Sequence, residues 1–373
     1  MPEKPKLRVG IVGAGWAGEG HAFGFGECPR TEVVAIANRT RETGEALAER
    51  FDVPTVVDDY RALIDHGVDI IGVTTPGHTH HEITMAALEA GVHVLCEKPM
   101  AMNAQEAADM TRAAKENGLV GAIAFTWRYT PTFRHTRELV DTGYIGEVRE
   151  VHDHTMWASR PVAVDGWMSR LEHGGGVLYQ GASHEIDRVR TILGLEIVRV
   201  CGKPKYTQKR AVKLPEVKYF REMMGWRPDK PLDEYDTVDV TADSGYSFIA
   251  DFPNEVTGVF RAGAGQGRSV GRTVELYGDK GTLILSDGGL EHSPYGKREF
   301  EPVEIPERHG EPFAPGMNVL NRLWSELVDD FVDRIDGGDA EIASFWDGMK
   351  GQQVIDAVRR SDAESRWIDI APA

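Results

Sequence analysis

The chain has 373 residues, 41% of them hydrophobic, enough for two domains with substantial cores. Its formal charge of −17, from 59 acidic against 42 basic residues, repels phosphate backbones and anionic bilayers, so neither nucleic acid nor a membrane surface is expected as a partner. Cys28, Cys96 and Cys201 are far apart and form no C-x-x-C pair, and no run has the character of a secretory leader or the length of a membrane span, so a cytoplasmic protein without disulfide framework or bound metal is expected.

The first element is an apolar strand over 7–12 that runs straight into Gly13-Ala14-Gly15-Trp16-Ala17-Gly18. In this G-x-G-x-x-G the first glycine allows a tight turn, the second lets backbone amides approach a pyrophosphate, and the third lets the next helix pack closely. The pyrophosphate would rest on the amino end of that helix, where open N–H groups and the helix dipole favour negative charge. An alternation follows, with strands at 32–37, 55–57, 69–74, 92–96 and 119–124 and helices at 42–51, 59–66, 79–90 and 104–117. This predicts a doubly wound α/β sheet, a Rossmann domain spanning residues 1–126.

Where an NAD-binding chain would place an acid for the ribose 2′-OH, the second strand ends in Asn38-Arg39-Thr40-Arg41. Asn38 and Thr40 can donate to a 2′-phosphate and Arg39 can pair with it, so NADP is the expected cofactor, with NAD the alternative if Asn38 reads a hydroxyl and the arginines are solvated. Three histidines fall within residues 78–81, but no carboxylate or cysteine stands at ligand spacing, so a metal site is not expected there. Thr79 is expected to cap the next helix. The backbone of Thr75, Pro76, His78 and His80 is expected under the nicotinamide end of the cofactor. Val92–Cys96 then ends at Glu97-Lys98-Pro99, which fixes a cation at the carboxyl end of a strand, where open α/β sheets hold their ligands.

Together, Gly13–Gly18, Thr75-Pro76-Gly77-His78-Thr79-His80 and the run from Ala90 to Pro99 resemble the Gfo/Idh/MocA oxidoreductase family, named in part for glucose–fructose oxidoreductase and inositol dehydrogenase. The resemblance continues through 133–148 and a glycine-rich helix to the closing Arg366-Trp367-Ile368-Asp369-Ile370. It implies that Lys98 is the catalytic lysine and that Glu97 and Lys98 lie against the cofactor. It also implies a homodimer or homotetramer acting on a small carbohydrate or polyol.

Residues 127–373 read as a second domain, α+β with a large, mostly antiparallel open sheet, from strands at 148–157, 197–202, 237–252, 255–264, 272–278 and 281–286. After Gly174-Gly175-Gly176, Leu178, Ala182, Ile186, Val189 and Leu193 recur at helical spacing as a packing stripe, with Gln180, His184 and Asp187 on the opposite face. That face is either solvated or, as the resemblance implies, the place where the family's D-x-x-x-H-x-x-D helix presents catalytic His184 and substrate-binding Asp187. Gln180 replaces the first aspartate and can orient a hydroxyl but carries no charge. Arg128, Trp157 and Arg160, with Trp127, Trp167 and Arg170, supply aromatic faces and forked donors suited to a sugar ring, or simple packing. Residues 203–236 read as a lid, an exchanged arm or an insertion.

These features predict an NAD(P)-dependent oxidoreductase that moves hydride between nicotinamide and a secondary alcohol or ketone of a sugar, polyol or cyclic diol. The alternatives are a glycoside-processing enzyme that oxidises transiently with a retained cofactor, and a cofactor-sensing protein, which would have no need of both Lys98 and His184.

Overall fold

The computed structural model describes residues 5–158, 163–214, 225–266, 269, 271–310 and 319–371. They form two compact units, one from the described residues of 1–126, 214–231 and 316–349, the other from those of 127–213, 232–315 and 350–373.

In the first unit β1 (Leu7–Val12), β2 (Thr31–Ala37), β3 (Thr55–Val57), β4 (Ile70–Val73), β5 (His93–Cys96) and β6 (Gly121–Ile123) form a parallel sheet in the order β3-β2-β1-β4-β5-β6. The crossovers carry α1 (Trp16–Glu27), α2 (Arg41–Arg50), α3 (Tyr60–Asp65), α4 (His80–Glu89) and α5 (Ala104–Glu116). Because helices cover a parallel sheet on both faces, its strands are mostly apolar, and Ile11, Ile36, Ile70, Ile71, Val94 and Leu95 are all fully buried. Asn103 caps α5 by accepting from the Glu106 N–H, while the Glu106 carboxylate accepts from the Met102 N–H, which stops the chain cleanly after β5.

Residues far along the chain complete this unit. The helix Val319–Ile335 packs on α1, where a Cβ on Gly20 would stand 2.2 Å from the Trp324 indole and one on Gly24 2.8 Å from the Trp324 carbonyl. Two glycines one turn apart let the helices touch at backbone distance. At the far edge the Ile123 N–H donates to the Ala343 carbonyl at 2.8 Å and Phe345 joins the core.

The second unit holds α6 (Pro131–Asp141), β7 (Val148–Ala158), β8 (Ala163–Val164), α7 (Val177–Gln180), α8 (Ala182–Leu193), β9 (Arg199–Lys205), β10 (Arg210–Val212), β11 (Thr237–Asp239), β12 (Gly245–Asp251), β13 (Thr257–Gln266), β14 (Gly271–Gly278), β15 (Gly281–Ser286), β16 (Gly289–Pro294), β17 (Glu301–Pro302) and β18 (Ile368–Asp369). Its nine-stranded sheet runs β17-β16-β15-β14-β7-β13-β12-β9-β18, antiparallel except for the β7–β13 pair. The expected stripe is the packing face: Leu178, Ala182, Ile186 and Val189 are fully buried in one core with Tyr246, Phe248 and Phe260. The single strand expected over 237–252 is instead two. β11 leaves the large sheet to pair with β10, which pairs in turn with β8. The stretch 203–236 opens as the end of β9 and as β10, and its residues 215–224 lie outside the described set. Among the described residues no helix is long and apolar enough to cross a membrane.

Candidate active site

The carboxyl edge of the parallel sheet gathers the first unit's predicted residues. β1 and β4 are neighbours although three strands apart in sequence, so the order of the sheet reverses there, the position where such sheets bind nucleotides. Gly13 has φ +107 and a Cβ on it would lie 2.8 Å from Thr74 Oγ1, so the turn out of β1 accepts only glycine. A Cβ on Gly18 would fall 2.2 Å from the Gly13 carbonyl. Gly15 differs, since a Cβ there would meet no protein atom within 4 Å, and Trp16 beside it is exposed. With open amides at the start of the twelve-residue α1, a bare Gly15 fits a dinucleotide pyrophosphate held on the loop Gly13–Gly18.

Asn38 does not behave as expected. Its side-chain oxygen accepts from the Ala14 N–H at 3.1 Å, and its amide group donates to the Thr40 carbonyl at 2.7 Å and to Thr43 Oγ1 at 2.5 Å. Both N–H bonds are engaged, so Asn38 ties the glycine loop to the end of β2 and has no donor left for a 2′-phosphate. Arg41 pairs with Glu45 and Asp58, whereas Arg39 is exposed.

After β4, Thr74 Oγ1 contacts the Val12 and Gly13 carbonyls at 2.9 and 2.8 Å. Thr79 does not cap α4 with its side chain, contrary to expectation. Its hydroxyl contacts Thr75 Oγ1 at 2.6 Å and the Pro76 carbonyl at 2.8 Å, because a 3-10 turn over Gly77–Thr79 leads into the helix. His78 is exposed, but His80 is buried with Nδ1 2.9 Å from the Pro99 carbonyl and Nε2 2.8 Å from the Thr75 carbonyl. It thus braces the Thr75-Pro76 turn against the turn after β5.

Lys98 follows β5 by two residues. Its peptide N–H donates to Glu97 Oε2 at 3.1 Å, and the Glu97 N–H donates to the Val73 carbonyl, so β4 holds the turn in place. Burial lowers the Lys98 pKa from the ordinary lysine value, and the Glu97 charge opposes this. Burial also pushes Glu97 up to about 6, against the pull of Lys98. Glu97 itself is buried.

Glu97 Oε1 also lies 3.9 Å from Nε2 of His21, a fully buried imidazole whose ring sits 4.7 Å from that of Trp324. Burial, and then the nearby His80, pull the His21 pKa down to about 3. The unfolded chain binds this proton near pH 6.5, so between the two values the unfolded state holds more protons and stability rises with pH. The contribution is complete above about pH 6.5 and is lost as the pH falls toward 3, on the order of 4 kcal/mol in all. His21→Leu is therefore expected to flatten the fall in thermal stability between pH 6.5 and 4, measured by circular dichroism. An unchanged slope would assign acid lability to other groups.

In the second unit Gln180 ends α7, and His184 and Asp187 lie on α8, with Gly181 between the two helices in right-handed helical conformation. Gln180 donates from its side chain to the Gly174 carbonyl at 2.8 Å, so it braces the glycine turn before α7. Asp187 is buried, and the Arg128 guanidinium forks onto both of its carboxylate oxygens, with Nε 2.9 Å from Oδ2. Arg128 and Asp187, both expected at the substrate, are paired with each other, as a buried carboxylate needs a charged partner. His184 lies half-buried with its ring stacked on Trp127 at 4.4 Å and 10°. The side chain of Trp157, at the end of β7, and all of Arg160 lie outside the described residues. Arg170 pairs with Asp165.

A group that the sequence reading missed stands behind this stack. Arg188 forks onto Asp153 of β7 at 2.6–3.1 Å, and the guanidinium carbons of Arg188 and Arg272 lie 5.1 and 4.3 Å from the Trp127 ring. Glu185, fully buried beside them, is pushed up to about 8 by burial and then by the Asp153 charge. The usable signal was Asp153, an acid between Val151 and Thr155 at alternate positions of a strand that buries all three. It requires a cation on α8, and Arg188 is there.

Residues 7–125 match the profile described as the oxidoreductase family's NAD-binding Rossmann fold, and residues 137–370 match the family's C-terminal alpha/beta domain. The chain is 26% identical to the levoglucosan dehydrogenase of Pseudarthrobacter phenanthrenivorans over 98% of both sequences, and 36% identical to the D-glucoside 3-dehydrogenase of Escherichia coli over 52% of this chain and 56% of that one. A solved structure of levoglucosan dehydrogenase in complex with NADH and levoglucosan superposes with a TM-score of 0.82 at 25% identity, covering 98% of this chain and 100% of that one. The nucleotide edge, the E-K-P turn and both halves of the chain thus agree: this protein belongs to the Gfo/Idh/MocA family of NAD(P)-dependent oxidoreductases.

Proposed function

We propose that the protein is a dehydrogenase or reductase acting on a secondary alcohol or ketone of a pyranose, anhydrosugar or polyol. The observation that carries this reading is Lys98, a half-buried lysine with a lowered pKa held at the carboxyl edge of the sheet beside the nucleotide loop. The names of the similar proteins supply the substrate class. The bound nicotinamide cofactor supplies the carbon that takes or gives the hydride. Lys98 polarises the substrate oxygen and takes its proton during oxidation, while in the second unit Trp127 orients the ring of His184, the residue that the family resemblance makes an acid–base group. A screen of anhydrosugars, aldoses, glycosides and inositols, following absorbance of the reduced cofactor, tests the reading. Turnover confined to non-carbohydrate alcohols would overturn it.

For the cofactor we propose NADP(H), with Arg39 as the group that meets the 2′-phosphate. The support is the absence of a carboxylate at the end of β2 and the exposed side chain of Arg39, while Asn38 and Arg41 are engaged elsewhere. A charge-assisted contact of this kind contributes roughly 1.5–3 kcal/mol. Arg39→Ile is thus expected to weaken NADP(H) binding by about ten- to hundredfold and leave NAD(H) almost unchanged, as read by fluorescence quenching. A wild-type protein that binds NAD more tightly than NADP would remove this assignment without touching the proposed reaction.

A further inference from the structure

We propose that His135, Glu138 and His309 form a site for one divalent transition-metal ion, of which zinc fits best, that clips the turn Glu307–His309 onto α6. The site lies wholly in the second unit and plays no part in the proposed hydride transfer.

Its geometry starts with α6. Thr130 caps the helix by accepting from the Phe133 N–H, and Pro131 sets its first turn, which places His135 and Glu138 three residues apart on the same side. His135 is buried, and its Nδ1 lies 3.1 Å from Glu138 Oε2. The 3-10 turn Glu307–His309 brings a second imidazole to the same oxygen, with His309 Nε2 2.6 Å away. The rings are 5.2 Å apart and tilted by 40°, so they converge on the carboxylate without stacking on each other. Among the described residues this is the cluster whose three ligand atoms all lie within 4.8 Å of one another.

Two imidazole nitrogens and one carboxylate oxygen are a donor set that zinc accepts, with water completing the tetrahedron. Bonds of about 2.0–2.1 Å put tetrahedral ligand atoms roughly 3.3 Å apart, so the two nitrogen–oxygen edges, at 3.1 and 2.6 Å, have to open by a few tenths of an ångström on each side, while the two nitrogens already lie within 4.8 Å of each other. The side chain of Glu138 is 36% exposed, which gives an ion a way in. Arg308 also touches the site, donating from Nη2 to both Glu138 oxygens at 2.6 and 2.7 Å. Its guanidinium competes with an ion for the same carboxylate oxygens, and its charge works against the ion. That opposition yields a signature that a mere ion-pair latch lacks: removing Arg308 should weaken a latch but tighten a metal site.

The test uses the full chain, dialysed against chelator and titrated with zinc chloride at pH 7.5 by calorimetry, with thermal unfolding read alongside. We expect one zinc per chain, a rise in Tm of about 2–4 °C at saturation, and a cobalt(II) complex with visible d–d absorption. His309→Ala and the gentler His309→Gln and His135→Gln should each abolish this binding, while Arg308→Met should tighten it by about tenfold. Failure of the wild-type chain to take up zinc would overturn the proposal. So would uptake that persists in the histidine variants, or that is unchanged or weaker in Arg308→Met. Activity toward sugars is a separate measurement, so loss of one reading leaves the other standing.

Discussion

Lys98→Met is expected to lower kcat by about a hundredfold or more while the dissociation constant of the cofactor changes little. Methionine retains most of the lysine's apolar stem, so the turn after β5 should keep its packing and the variant should differ mainly in the lost amine. A lysine does acid–base work near neutral pH only if its charged form is disfavoured. Here burial provides that, and the positive charge of an oxidised nicotinamide would add to it. Glu97 opposes the shift. Glu97→Gln should therefore lower the Lys98 pKa further and move the acidic limb of the pH–rate profile for oxidation to lower pH. His184→Asn should flatten that limb, because the amide cannot exchange the proton. Retention of wild-type turnover by Lys98→Met would remove the lysine from the chemistry and leave it a packing residue.

The nucleotide edge was legible because each of its parts has a local cause. A strand ending in glycines, a missing acid after the second strand and a proline behind a lysine are each visible within a few residues. The closure of the first unit was less visible, since it depends on helix Val319–Ile335 returning from far along the chain. The available clue was Gly20 and Gly24, glycines one turn apart on α1 that only another helix explains. The pairing on the Gln180–His184–Asp187 face was hidden for a different reason. Helical spacing predicts which residues align, but not that Gln180 turns back to the Gly174 carbonyl or that Arg128 arrives from another segment to take the Asp187 carboxylate. Charge pairing across long sequence separations has no periodicity to read. Asp153 with Arg188 and Arg128 with Asp187 therefore became visible only with the fold.

The Asp153–Arg188 pair carries the other large expected effect. Arg188→Met is expected to destabilise the protein by roughly 3–5 kcal/mol, because it leaves a carboxylate with no solvent exposure and without the guanidinium that forks onto it. Removing both charges, as in Asp153→Leu with Arg188→Met, should recover most of that loss, since a buried pair is often replaceable by packed apolar groups. Glu185 gives the same question a pH axis. Its folded pKa of about 8 lies above the ordinary value of 4.5, so the folded state binds more protons between those values. Stability from this group is therefore full below about pH 4.5 and declines as the pH rises through 8, and Glu185→Gln should flatten the decline. Urea unfolding of all four proteins between pH 5 and 9 would read both effects together. Burial pushes Asp153 up and Arg188 pulls it down, and the two-oxygen fork at 2.6–3.1 Å argues that it stays ionised while Glu185 takes the proton. If Arg188→Met fell within about 1 kcal/mol of wild type at pH 7, Asp153 would have to be protonated in the native state, and the assignment of the shared proton to Glu185 would be wrong.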